Sequence, residues 1–256
     1  MGQQPLAREG SFSRLKNELT GLRGSWIYRY VKHAWARAVG RAFWYDHLTA
    51  AIDYSLSVHA GRGRPLNYYE FGTGSGNTVQ RAVSALQRYP GSRIYLFDSF
   101  VGLPAPQNAR DQNTTWKRGD FAFSEAYIRE VVERAGWDPS HLMVVKGFFE
   151  QSLTGDLQRQ LAPTPPAFVT IDVDYYSSTR AVLEFLGPIL ISGCAFYFDD
   201  LWSFDGHPEY GQLKAISEFN EASSRGRLVP NPILGNRIFT YFSYDYEFAP
   251  SIPGHG

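Results

Sequence analysis

The 256-residue sequence predicts an α/β fold: a doubly wound, mostly parallel sheet with an antiparallel last strand and an N-terminal helical extension. Three observations predict it. From residue 66 onward, short apolar runs alternate with amphipathic stretches, the pattern of βαβ units. The first run ends in a glycine-rich loop, where such sheets bind ligands. The last two runs are separated only by a Pro/Gly-rich turn, too short for a parallel crossover. The domain boundary falls between residues 65 and 66.

Residues 1–25 are polar and are expected to begin disordered. Residues 26–60 read as helices: Ile27, Val31, Ala34, Trp35, Ala38 and Ala42 recur at three- and four-residue steps. Arg29, Lys32, His33, Arg37 and Arg41 occupy the other side, a solvated face or a contact for anionic lipid or an acidic partner. Gly61 to Pro65 breaks the helix. Strands follow at Leu66–Phe71, Arg93–Phe97, Leu142–Val145, Ala167–Ile171 and Cys194–Phe198, with Arg227–Val229 and Arg237–Phe242 as the late pair. Helices are expected at Val79–Arg88, Ser124–Ala135 (capped by Ser124), Ala181–Leu190 and Gln212–Phe219. The arrangement is Rossmann-like.

Composition narrows the function classes. With 43% hydrophobic and 20% charged residues the chain is globular rather than disordered. One cysteine, Cys194 in an apolar run, excludes an internal disulfide and a multi-cysteine metal site, and suits a cytoplasmic protein. No apolar run approaches the roughly 18 residues of a membrane span, and Met1–Ser13 lacks the apolar core of a secretory signal. Basic and acidic residues balance at 25 each, so no global footprint for nucleic acid exists. The expected partner is a small molecule rather than a nucleic acid.

The first strand ends Glu70-Phe71-Gly72-Thr73-Gly74-Ser75-Gly76-Asn77. Glycines there let the main chain turn sharply and a ligand approach it. The second strand ends at Asp98, where a carboxylate can take both hydroxyls of a ribose. Glu70 at a strand end opposes phosphates and suits a cationic cofactor such as S-adenosylmethionine. Glu70, Gly72, Thr73, Gly74, Asp98 and Ser99 are therefore candidate cofactor contacts, with Asp172 beside them. The fourth strand ends Asp172-Val173-Asp174 and the fifth Asp199-Asp200, on the same rim as the glycine loop. Carboxylates brought that close repel. An all-oxygen set selects a hard divalent cation, Mg²⁺ or its like. The plainer reading has each aspartate capping a helix or pairing with an arginine.

The blocks Asp98-Ser99-Phe100-Val101-Gly102-Leu103-Pro104, Lys146-Gly147-Phe148-Phe149, Asp172-Val173-Asp174-Tyr175-Tyr176-Ser177-Ser178-Thr179 and Asp199-Asp200 occur in that order. Together they resemble the macrocin O-methyltransferase-like family, class I S-adenosylmethionine-dependent enzymes, over roughly residues 67–222. The resemblance implies metal-dependent methylation of sugar hydroxyls on natural products, with Asp172, Asp199 and Asp200 as metal ligands. Gly147 and Phe148 are expected near the adenine. The resemblance also implies that the N-terminal helical extension serves as a lid or a homo-oligomer contact. Tyr175 stands where catechol-type enzymes carry a lysine base, and the loop from Leu201 to Tyr210 is longer and more aromatic than the family pattern. His207 on that loop is the first candidate base and Asp174 the second. Trp202, Phe204 and Tyr210 are expected on the acceptor side.

Two readings compete. Tyr210 and Lys214 match the Tyr-x-x-x-Lys pair of nicotinamide-dependent short-chain reductases, though the glycine spacing does not. A catalytically inactive binding module on the same fold is the other.

Overall fold

The computed structural model describes residues 47–112 and 116–245. The expected basic-faced helix at 26–42 and the polar start lie outside these residues. Helix α1 (His47–Ala60) belongs to the compact unit that begins at His47. Its Leu48, Ala51, Ile52 and Leu56 are buried in one core cluster with Val79, Ala82, Val83 and Leu86 of helix α2 (Asn77–Leu86) and with Phe168.

Seven strands form the sheet: β1 (Asn67–Phe71), β2 (Ile94–Asp98), β3 (Leu142–Lys146), β4 (Pro166–Ile171), β5 (Ala195–Phe198), β6 (Gly226–Pro230) and β7 (Ile238–Ser243). Their order is β3-β2-β1-β4-β5-β7-β6. Pairings among the first five are parallel, and β7 is antiparallel to both β5 and β6. The fold is the expected one, down to the antiparallel end. Parallel strands covered on both faces are mostly apolar, and β1 and β4 are buried at every position, Asn67, Glu70 and Thr170 included.

Successive residues face opposite layers. Tyr69, Phe71, Phe97, Ile171 and Phe198 pack with helix α6 (Tyr176–Leu186) on one side. Tyr68, Leu96 and Phe168 pack with α1, α2 and helix α3 (Glu125–Arg134) on the other. The strand order reverses between β1 and β4, so the switch point lies where Phe71 pairs with Ile171.

Several boundaries move. Helix α6 begins at Tyr176 rather than Ala181 and ends at Leu186, because its polar first turn is buried against the long connection from β2. The Ser177 N–H donates to the buried Asp111 carboxylate at 2.8 Å. Two short helices, α4 (Phe149–Ser152) and α5 (Gly155–Leu161), carry too few turns to show a period; Thr154 caps the second. The last helix, α7, spans Gly211–Ala222. Cys194 is buried and free. Among the described residues no helix is long and apolar enough to cross a membrane.

Ser124 caps α3 as expected, its hydroxyl accepting the Tyr127 N–H at 3.2 Å. Ser124→Ala should cost about 1 kcal/mol in urea unfolding. An unchanged midpoint would show that the Ser124 cap adds nothing to stability.

Candidate active site

Beyond the strand ends the main-chain ladder runs on for one more rung. Gly72 N donates to Phe97 O at 2.9 Å, Asp172 N to Phe71 O at 2.9 Å and Asp199 N to Ile171 O at 3.1 Å. These bonds bring the glycine loop and the two aspartate turns to one rim. Gly72 adopts φ +80°, and a Cβ there would stand 1.8 Å from the Asp172 carbonyl oxygen. Gly74 is the opposite case: a Cβ would meet no protein atom within 4 Å, and the residue faces the cavity.

That cavity has a volume of about 560 Å³. Gly72, Gly74, Asp98, Ser99, Gly147 and Phe148 line one part of it, and Asp172, Asp174, Asp199 and Asp200 another. Glu70, Thr73 and His207 are not among its lining residues. Glu70 is fully buried, with Oε2 accepting the Tyr68 hydroxyl at 2.7 Å and Oε1 without a partner. Burial raises it to about 8. Thr73 instead ties the loop down: its N–H and hydroxyl both donate to Asp98 Oδ2, at 2.7 and 3.0 Å.

Asp98 is thus a strut as well as a cavity residue. Its Oδ1 accepts the Phe100 N–H at 2.7 Å, holding Phe100 at φ +57°. The Ser99 hydroxyl donates to Gly102 O at 2.8 Å. Gly102 is required because a Cβ would lie 2.5 Å from Gly119 O. The Asp98–Pro104 block is a built turn that brings the 116–123 stretch over the cavity.

One carboxylate oxygen from each of Asp172, Asp199 and Asp200 lies within 4.8 Å of the others. Burial first, then the neighbouring Asp200 and Asp199 charges, raises Asp172 well above the carboxylate range. Burial and Asp199 raise Asp200 to about 6. Part of the capping-and-pairing reading holds too. Asp199 Oδ1 accepts from Arg237 at 2.8 Å and from the Tyr197 hydroxyl, and Asp200 Oδ2 accepts the Asp174 N–H at 2.9 Å. These bonds leave the three carboxylates facing one another, a donor set that fits a hard divalent cation. The Asp174 main chain is held at φ +61°, a strained conformation that concentrates at functional sites.

His207 is exposed, and its Nδ1 accepts the Glu209 N–H at 3.2 Å. The ring thus caps its own turn. Tyr175 is fully buried and not among the lining residues. Tyr210 is exposed and Lys214 pairs with Glu209 at 2.8 Å, so the Tyr-x-x-x-Lys match forms no site. Of the expected acceptor-side aromatics, Phe204 packs edge-on to Trp116, while Trp202 is exposed. The sequence reading missed Trp116, Asp120, Phe121 and Phe123, all lining the cavity. Their signal was length: a connection spanning residues 99–124 is far longer than the usual linker and is commonly functional.

Residues 65–224 match the family described as macrocin-O-methyltransferase (TylF). The chain belongs to that family. The TylF-family match contains the glycine loop, the Asp98–Pro104 turn and the acidic trio. A curated relative from Streptomyces olivaceus is named 8-demethyl-8-(2,3-dimethoxy-alpha-L-rhamnosyl)-tetracenomycin-C 4'-O-methyltransferase. It is 29% identical over 157 residues, 58% of this chain and 58% of its own length. Two solved structures share the fold, each with a TM-score of 0.62. The O-methyltransferase NovP is 19% identical, covering 77% of this chain and 79% of its own. The calicheamicin methyltransferase CalS11 is 22% identical, covering 96% and 99%.

The buried carboxylates give a pH dependence with a definite sign. Glu70 and Asp174, each raised to about 8, hold protons when folded that they lose on unfolding. Stability then falls as pH rises toward 8. His59, buried and titrating below its ordinary 6.5, acts the other way only below that value. The Tm of the ligand-free protein should therefore fall between pH 6.5 and 8. A flat or rising Tm would mean both carboxylates are ionised throughout.

Proposed function

We propose that the protein transfers the methyl group of S-adenosylmethionine to a hydroxyl of a sugar unit on a natural product, using a divalent cation held by Asp172, Asp199 and Asp200. One observation carries the reading: a single cavity at the switch point joins the glycine loop and Asp98 to the acidic trio. Family membership and the name of the rhamnosyl-tetracenomycin relative support a sugar acceptor.

The fit to both groups rests on the site itself. Gly74 offers open space beside main chain, and the trio is a set of mutually repelling oxygens. S-adenosylmethionine supplies an electrophilic methyl group on a sulfonium centre, and a bound divalent cation lowers the pKa of a coordinated hydroxyl.

The chain's own residues do the rest by positioning. Asp98 Oδ1 accepts one bond and Oδ2 two, so a lone pair remains for a ribose hydroxyl. Gly147 and Phe148 line the cavity beside Asp98, Gly147 N donating to Asp98 O at 2.9 Å, where an adenine would pack. Glu70 acts from behind, through Tyr68 and the Tyr68–Thr170 bond at 2.8 Å, rather than by touching the cofactor. The role of base passes from His207 to Asp174, which lines the cavity beside the trio. Positive charge at the trio would return Asp174 toward the ordinary carboxylate range, leaving it ionised to take a hydroxyl proton.

Calorimetric titration with S-adenosylhomocysteine, and then with Mg²⁺ after chelator treatment, tests the whole reading. Heat from both supports it, and nucleoside binding without Mg²⁺ removes the cation. Asp199→Ala should abolish the Mg²⁺ signal while S-adenosylhomocysteine affinity stays within a few fold. Asp98→Ala should weaken S-adenosylhomocysteine by about 1–3 kcal/mol, from lost ribose bonds and release of Thr73. An unaltered dissociation constant would move the ribose elsewhere.

A further inference from the structure

We infer that Gln212 is a positioning residue for the cation site, its side-chain amide cross-linking the two turns that carry Asp172 and Asp200. The inference rests on the cation reading above. Gln212 is 1% exposed, in the first turn of α7. Its Oε1 accepts the Asp200 N–H at 2.9 Å, and its Nε2 donates to Ile171 O at 3.1 Å. Ile171 is the last residue of β4 and is followed directly by Asp172. The same Ile171 oxygen also receives the Asp199 N–H at 3.1 Å. One carbonyl and one amide therefore join the main chain beside all three acidic residues.

The need for such a brace follows from where the ladder stops. The β4–β5 register ends at Ile171 and Phe198, and the Asp199 N–H to Ile171 O bond is the last main-chain rung between the two turns. The carboxylates in those turns crowd one another. The Gln212 amide adds a rung beyond it, with an acceptor for one turn and a donor for the other. Asparagine is one methylene shorter, and glutamate in its ionised form offers no donor.

Gln212 is itself held in place. A Cβ on Gly211, at φ +54°, would lie 2.5 Å from the Phe204 ring, so the start of α7 sits directly on the loop after β5. Partners behind metal ligands commonly set affinity by about 10–100-fold. Tyr210-Gly211-Gln212-Leu213-Lys214, the tract that resembled a reductase pair, thus has its working residue in the middle.

The test uses the full chain, stripped with chelator, and Mn²⁺ as the probe. Binding is read by calorimetry and by the spin-resonance signal of free Mn²⁺. Gln212→Met keeps the length and removes both hydrogen bonds. It should raise the Mn²⁺ dissociation constant by about 10–100-fold and leave that of S-adenosylhomocysteine within about threefold. Gln158, whose Nε2 donates to Phe185 O at 2.6 Å on α5, is a strut outside the cavity lining. Gln158→Met should lower Tm without altering Mn²⁺ affinity. Gln212→Asn replaces Gln212→Met, with the same expected shift, if the latter does not fold. Mn²⁺ affinity within about twofold of the parent in a folded Gln212 variant, whatever its Tm, would make Gln212 a plain strut and overturn the inference. A parent that binds S-adenosylhomocysteine but no Mn²⁺ would instead remove the cation reading, and this inference with it.

Discussion

The approach of Gly72 to the Asp172 carbonyl fixes the geometry of the cavity. No side chain fits between them: a Cβ would fall 1.8 Å from that oxygen. The Asp172 N–H, on the other side of its residue, donates to Phe71 O. The glycine loop and the first acidic turn are therefore locked together through main chain alone. Asp98 extends the lock by holding Thr73, and the Asp199 N–H extends it to β5. A donor loop and an acidic trio held this rigidly need little rearrangement to present two ligands to each other.

The same closeness creates a tension. Asp172, Asp174, Asp200 and Glu70 all titrate upward, chiefly from burial, because few charges of opposite sign reach them. Arg237 pairs with Asp199 at 2.8 Å, and its charge pulls Asp200 down only in part. The fold meets part of the cost with main-chain donors, as at Asp200 Oδ2, and leaves the rest uncompensated. Carboxylates raised in this way hold protons that an entering cation would displace. The left-handed Asp174 belongs to the same account, since in that conformation its N–H donates to Asp200 Oδ2.

Legibility in the sequence followed how local each signal was. The parallel strands were readable because burial on both faces makes them apolar throughout, and the antiparallel end because its turn is short. The cavity residues at strand ends were readable because topology alone puts them on one rim. The direction of His207 was not legible, because residue type says nothing of it; its ring accepts the Glu209 N–H. The direction of Glu70 was hidden for a related reason, since alternation along β1 puts its side chain on the same face as Tyr68. The start of α6 was hidden because Ser177, Ser178 and Thr179 look like a loop until Asp111, more than sixty residues earlier, is seen to receive the Ser177 N–H.

The two sides of the cavity are built differently. The donor side is made of strand ends and main-chain bonds, which tolerate almost no substitution. The opposite side comes from the connection after β2, and it reaches the cavity through a stretch anchored at few points. Asp111 binds Gln107 and Ser177, Arg110 reaches Tyr176 and Glu218, and Gly119 closes on Leu103. Trp116 rests its edge on Tyr175 and Phe204, and Phe121 stands exposed at φ +61°. Residues 116–123 touch no strand through these bonds: main chain at Gly119 and Asp120 ties them to Leu103, and Trp116 packs on Tyr175 and Phe204. The cavity therefore joins a wall fixed through main chain to a wall of aromatic side chains. The motif blocks lie at 98–104, 146–149, 172–179 and 199–200, so Trp116, Phe121 and Phe123 belong to none of them, and the aromatic wall carries no motif that the sequence could announce.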